Sequence, residues 1–152
     1  MNLKNILILI IFFIIPSKSL GLIEVDITRG NLNPLPIAIS SLASDNSSKN
    51  QLTKLLKIDD LGLEISKVIE NNFRQSGLFN PLDKDSFLQK PDIAHLKPRF
   101  EDWSLIKAQA LITGKVTYTE DKLRVEFRLW DVLAAKEMLA LAFTTVPKNW
   151  RR

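Results

Sequence analysis

Three runs in the C-terminal half constrain this chain most. Between Lys122 and Val132, Leu123, Val125, Phe127 and Leu129 alternate with Arg124, Glu126 and Arg128. A two-residue period marks a strand with one dry face and one wet face. Before it, Ala108 to Thr119 places Ala110, Ile112, Gly114, Val116 and Tyr118 on one side, and Glu120-Asp121 makes a tight turn. After it, Leu133 to Lys136 turns the chain again, and Met138 to Val146 forms a third strand. The three make a β-meander. Gly114 within a strand marks a bulge or a close backbone contact.

Upstream, Leu61, Ile65, Val68, Ile69 and Phe73 recur at spacings of three and four, a helical stripe with Lys67, Glu70, Asn71 and Arg74 on the wet side. Asp59 or Asp60 can cap its start, and Gly77 suits the left-handed position that closes it. Leu78-Phe79 can fold back on the last turn, and Pro81 blocks further helix. Pro36 to Ser40 reads as a short buried strand. Ser40 to Asn50, rich in Ser, Asn and Asp, reads as a loop. Asp85 is expected to cap a turn at Ser86-Phe87-Leu88. Residues 89 to 99, with Pro91 and Pro98, read as a loop, and Phe100 to Lys107 as a short helix turning Trp103 and Ile106 inward. Pro147 is expected to precede a further helix capped by Asn149, although the chain stops at Arg152 before two turns are complete. That stop points to a missing C-terminal helix or a longer natural protein. The fold class is α/β: an α+β sandwich of mixed sheet and antiparallel C-terminal meander, helices on one face, with an extended N-terminal arm.

The N-terminus is of another kind. Met1-Asn-Leu-Lys-Asn is a short positive region, Ile6 to Ile15 is unbroken apolar sequence, and Pro16 precedes small residues. That order is a signal peptide with cleavage before Leu20 or, preferred, before Leu22. Spanning a bilayer takes ~20 apolar residues, whereas this run rises only about 15 Å as a helix. The organisation expected is therefore 1–21 signal peptide, 22–35 arm and linker, and 36–152 a single α/β domain. Of the 21 basic residues, Lys4 and Lys18 fall in the leader, leaving 19 against 17 acids. So even a balance provides no electrostatic case for nucleic acid.

Chemistry is sparse. With no cysteine, disulfides, thiolate catalysis, cysteine-ligated zinc and lipoprotein acylation are excluded. His95 is the only histidine and reads as a solvated loop residue. No Gly-x-Ser-x-Gly elbow exists, and five scattered glycines make no phosphate-cradling loop. Asp83 with Asp85, and Glu101 with Asp102, sit where capping already accounts for acids. No catalytic residue, cofactor or metal is expected. Trp150 with Arg151-Arg152 reads as the first turn of a helix rather than a nucleic-acid or lipid contact. One positive signal remains: Leu22, Ile23, Glu24, Val25, Asp26, Ile27 and Thr28 alternate as a strand at a free terminus. Such an arm is either an ordinary edge strand or a donor to another protein's sheet.

Several segments carry a resemblance. Leu22-Ile-Glu-Val-Asp-Ile-Thr-Arg-Gly30, Pro36-Ile-Ala-Ile39, Asn72-Phe-Arg-Gln-Ser-Gly-Leu-Phe79, Asp102-Trp103, Ala110-Leu-Ile-Thr-Gly-Lys-Val116, Val125-Glu-Phe-Arg-Leu-Trp-Asp131 and Trp150-Arg-Arg152 occur in this order. The chain thereby resembles the N-terminal domain of the TolB family of the Tol-Pal system, its alphaproteobacterial members most. The resemblance implies a periplasmic, non-catalytic part of an envelope complex that maintains outer-membrane integrity and aids its invagination during division. It implies docking of the arm Leu22–Thr28 to TolA. In the family a β-propeller binds Pal and couples that event to arm release; no propeller follows here, so Pal is a partner only if a propeller is supplied separately. Lys107 and Gln109 stand where Gly and Asp are more usual, and Ser40 to Asn50 replaces a proline-bearing turn. Two rivals are a small periplasmic hydrolase using acids such as Asp83 and Glu101, and a non-functional fragment whose apolar face lies uncovered.

Overall fold

The computed structural model describes residues 33–151. The leader 1–21 and the arm Leu22–Thr28 lie outside the described residues. Six strands form one mixed sheet: β1 (Leu35–Ile39), β2 (Ala43–Ser44), β3 (Phe79–Pro81), β4 (Ala110–Thr119), β5 (Lys122–Asp131) and β6 (Lys136–Thr145). Their order is β3-β1-β4-β5-β6, with β2 also on β4. β1 runs parallel to β3 and β4, and the meander β4-β5-β6 is antiparallel. The expected class and the meander are both present.

The helices are α1 (Asn46–Leu56), α2 (Leu61–Ser76), α3 (Pro91–Ala94) and α4 (Phe100–Leu105). α2 is the stripe helix. Asp60 caps it by accepting from the Leu63 N–H, and Gly77 closes it at φ 70°. Phe73 and Phe79 then meet edge to face at 4.5 Å, so the chain does fold back. Leu61 and Ile65 are buried and Ile69 and Phe73 partly so, against Ile37, Ile39, Ile112 and Val116 of the sheet.

α1 corrects the loop expected at Ser40 to Asn50. The Ser-Asp-Asn composition that signals a loop also caps helices, because a short polar side chain can satisfy a free N–H in either setting. Asp45 accepts from the N–H and hydroxyl of Ser48, both at 2.9 Å. Leu52 then enters the core, and Ser48 Oγ accepts the Tyr118 N–H at 2.9 Å, ending the β4 edge beyond β2.

Other local expectations are corrected too. The turn after β3 is a 3-10 turn at Lys84–Ser86 capped by Asp83, not Asp85, since Asp83 accepts the Asp85 N–H. Residues 89–99 are not all loop, because Pro91, unable to donate an N–H, opens α3. At the C-terminus Pro147 itself begins a 3-10 turn, Pro147–Asn149, so Asn149 lies inside it rather than capping it.

Helices on one face holds for the two long ones. The short pair α3 and α4 covers the opposite face, where Ala94, Trp103 and Ala108 pack on Ala38 and Leu111. Phe87 meets Trp103 edge to face at 5.0 Å. Buried Gln89 fastens this layer: its Oε1 accepts from Trp103 Nε1 and the Arg99 N–H, and its Nε2 donates to the Lys97 carbonyl. Ile37–Ile39 of β1 and Ala110–Gly114 of β4 are thus dry on both faces.

Candidate docking site

The expected partner-binding residues Leu22 to Thr28 lie outside the described residues, and what surrounds their point of entry is visible. β1 begins at Leu35, whose N–H donates to the Leu78 carbonyl at 2.9 Å. Both edges of β1 are already paired, to β3 and to β4. No slot beside β1 awaits the arm. The sheet's outer edges are unlike one another. β3 offers three residues ending in Pro81, a poor template because proline has no N–H to share. β6 offers ten residues.

The acids weighed for hydrolysis are spread over separate elements. Asp83 is occupied as a cap. Asp102 faces the Arg99 guanidinium at 2.6 Å. Glu101 is exposed and lines an open hollow of about 490 Å³ with Phe100, Leu105, Val132 and Leu133. It is the only ionisable group lining that hollow, whereas glycoside hydrolysis needs two carboxyls flanking one bond. His95 is half-buried at the end of α3, its Nδ1 3.4 Å from the Pro91 carbonyl, rather than a freely solvated loop residue. Among the described residues, no three His, Asp or Glu side chains gather in a way that could hold a metal ion.

The titration shifts that do occur have structural causes. Hydrogen bonds from the backbone and then the hydroxyl of Ser48 hold the Asp45 carboxyl below its ordinary value. The Arg124 hydrogen bond lowers Glu126. The bond that Tyr118 donates to Asp121 at 2.7 Å keeps its phenol protonated to higher pH than usual. Both carboxyls move away from the raised pKa that a general acid requires.

Sequence reasoning missed the two features that organise the surface. One is the Gln89 staple. The other is the bareness of β6, where Leu139, Leu141 and Phe143 are exposed on the long-helix face. The alternation of β6 was readable, but its exposure among the described residues depends on where α1 and α2 cross. Trp150, by contrast, packs against the cluster around Val125, and Arg151 stacks on it at 4.6 Å.

Comparison with known proteins gives one consistent picture. Residues 23–138 match the family described as the TolB amino-terminal domain. A Tol-Pal system protein TolB from Pelagibacter ubique (strain HTCC1062) is 74% identical over 143 residues, 94% of this chain and 32% of that protein. The chain thus spans about a third of that relative's length. TolB from Acinetobacter baumannii superposes with a TM-score of 0.52 at 20% identity, over 78% of this chain and 25% of that one. The LpoB C-terminal domain from Escherichia coli does so with a TM-score of 0.54 at 9% identity, over 77% and 86%. At such identities the two structures speak to the fold alone.

Proposed function

Because the chain belongs to the TolB amino-terminal domain family, we propose that it is a non-catalytic component of the Tol-Pal system, exported to the periplasm and docking to TolA through Leu22–Thr28. The carrying observation is that β1 has a partner on each side, so the sheet next to the arm's attachment point is complete without it. A terminal segment with strand periodicity and no vacancy beside it is suited to lend its backbone elsewhere. Strand addition would join the two proteins by main-chain hydrogen bonds, with Ile23, Val25 and Ile27 supplying side-chain specificity. Through that link the chain would serve outer-membrane integrity and invagination at division. Among the described residues no helix is long and apolar enough to cross a membrane.

The test is capture of purified TolA by the chain starting at Leu22 and by one starting at Gly30. The longer form is expected to bind and the shorter to fail, with matching circular dichroism. Equal binding by both overturns the reading. Mass spectrometry of the exported chain checks the leader, with a new terminus expected at Leu22 or Leu20.

A further inference from the structure

The layer that covers Ala38 and Leu111 turns apolar side chains outward as well as inward. Ala94, Trp103 and Ala108 are buried on its inner side, but Leu88, Ile93 and Leu96 are 57, 54 and 75% exposed. These three are not held on slack chain. The Gln89 side chain bridges to the Lys97 carbonyl at 3.0 Å and the Arg99 N–H at 2.9 Å, which draws Leu88 and Lys90 alongside Leu96 and Lys97. The Lys90 carbonyl accepts from the Ala94 N–H at 2.9 Å, and the Ile93 carbonyl accepts from Leu96 and Lys97, both at 3.1 Å. Pro91 and Pro98 fix two further backbone angles. The segment is a stiff platform, so its apolar side chains need little further ordering when they meet another surface.

The charges around them are mostly of one sign. From Leu88 to Arg99 the bases are Lys90, Lys97 and Arg99, and the acid is Asp92. Arg99 is taken up by Asp102 at 2.6 Å. Lys90 and Lys97 are exposed and take part in none of the ion pairs among the described residues. Two lysines against Asp92 are too few to hold a protein to a surface by charge. Apolar insertion must supply most of the attraction, and the lysines a preference for anions. Lysine stems can lie along inserted side chains while the ammonium stays at headgroup depth. A bilayer also asks for no complementary shape, which suits side chains that project rather than line a groove. We propose that Leu88, Ile93 and Leu96, framed by Lys90 and Lys97, enter the interface of an anionic phospholipid bilayer. This site is separate from the arm, so it adds a direct membrane contact to the TolA reading without resting on it.

The experiment is cosedimentation of residues 22–152 with phosphatidylcholine vesicles that contain about 30% phosphatidylglycerol, and with phosphatidylcholine alone. The anionic vesicles are expected to carry the protein down, less so as salt is raised, and the neutral vesicles to carry much less. Ile93→Asp with Leu96→Asp should weaken binding about tenfold or more, and Lys90→Glu with Lys97→Glu about fivefold. All four side chains are exposed, so circular dichroism of the variants should match the parent. Lys54→Glu with Lys57→Glu, at the end of α1 on the other face of the sheet, changes the net charge equally and should leave binding nearly intact. No binding by the parent, equal binding to both kinds of vesicle, or an equal loss from the Lys54 and Lys57 pair overturns the proposal. So does a mass that rises with concentration in ultracentrifugation and is abolished by Ile93→Asp with Leu96→Asp, since the patch would then join copies of the chain. Residues 30–152 should bind the anionic vesicles as well as 22–152 does while failing to capture TolA, so the two readings can fail separately.

Discussion

The two halves of the sheet carry the same kind of sequence and meet opposite environments. Along β4, Ala110 to Thr113 are all at most 8% exposed, because α2 lies over one face and the Trp103 layer over the other. Along β6, Leu139, Leu141 and Phe143 alternate as regularly, yet about half of each is in water. Alternation decides which side chains share a face; what crosses that face decides whether they are dry.

The sharpest way to break this contrast is a matched pair of truncations. Trp103→Ala removes a fully buried ring and is expected to cost about 3–5 kcal/mol, whereas Phe143→Ala, at a ring already about half in water, should cost only about 1 kcal/mol; urea denaturation compares them. Comparable losses would mean that β6 is covered in solution.

Close approach gives the next effect. A Cβ on Gly62 would stand 2.0 Å from the Leu42 carbonyl oxygen, where the N-terminal end of α2 presses on the loop before β2. Gly62→Ala should therefore cost roughly 1–3 kcal/mol or more. Gly77→Ala meets no atom within 4 Å, and its φ of +70° alone should cost about 1–2 kcal/mol.

Asp45→Ala removes the α1 cap and should cost about 1 kcal/mol. Its pH dependence has a definite sign. The carboxyl titrates lower in the folded state than its ordinary value of 3.8. Its ionised form therefore stabilises the fold fully above that value, and the contribution is lost as pH falls through the lower folded pKa. Acid unfolding of Asp45→Asn should lack this component.

The smallest expected effect is a gain. Lys107 sits at φ 64° just before β4, a left-handed position that burdens any residue with a Cβ. Lys107→Gly should raise stability by about 0.5–1 kcal/mol, readable as a higher melting temperature; no change would mean that local contacts already offset the strain.

Much of this was legible because it is local. The Asp60 cap, the Leu61–Phe73 stripe, Gly77 and the meander turns each express a conformational preference within a few residues. α1 was hidden because its Ser-Asp-Asn opening suits a loop and a helix cap equally, and only the bond from the Tyr118 N–H to Ser48, seventy residues away in sequence, shows which is formed. Gln89 was illegible for the same reason: a glutamine in a proline-bounded stretch becomes a staple only when Trp103, Arg99 and Lys97 converge on it. The candidate arm was found by its periodicity, while the exposure of Leu139, Leu141 and Phe143 was not, since periodicity says nothing about cover.

By itself, then, the sequence determined the periods, the caps and the faces, all consequences of backbone geometry and side-chain polarity over short spans. Among the described residues, tertiary structure decided that two helical layers enclose Ile37–Ile39 of β1 and Ala110–Gly114 of β4 and stop short of β6. That boundary comes from which helix crosses which strand, a long-range packing choice that no stretch of a few residues encodes alone.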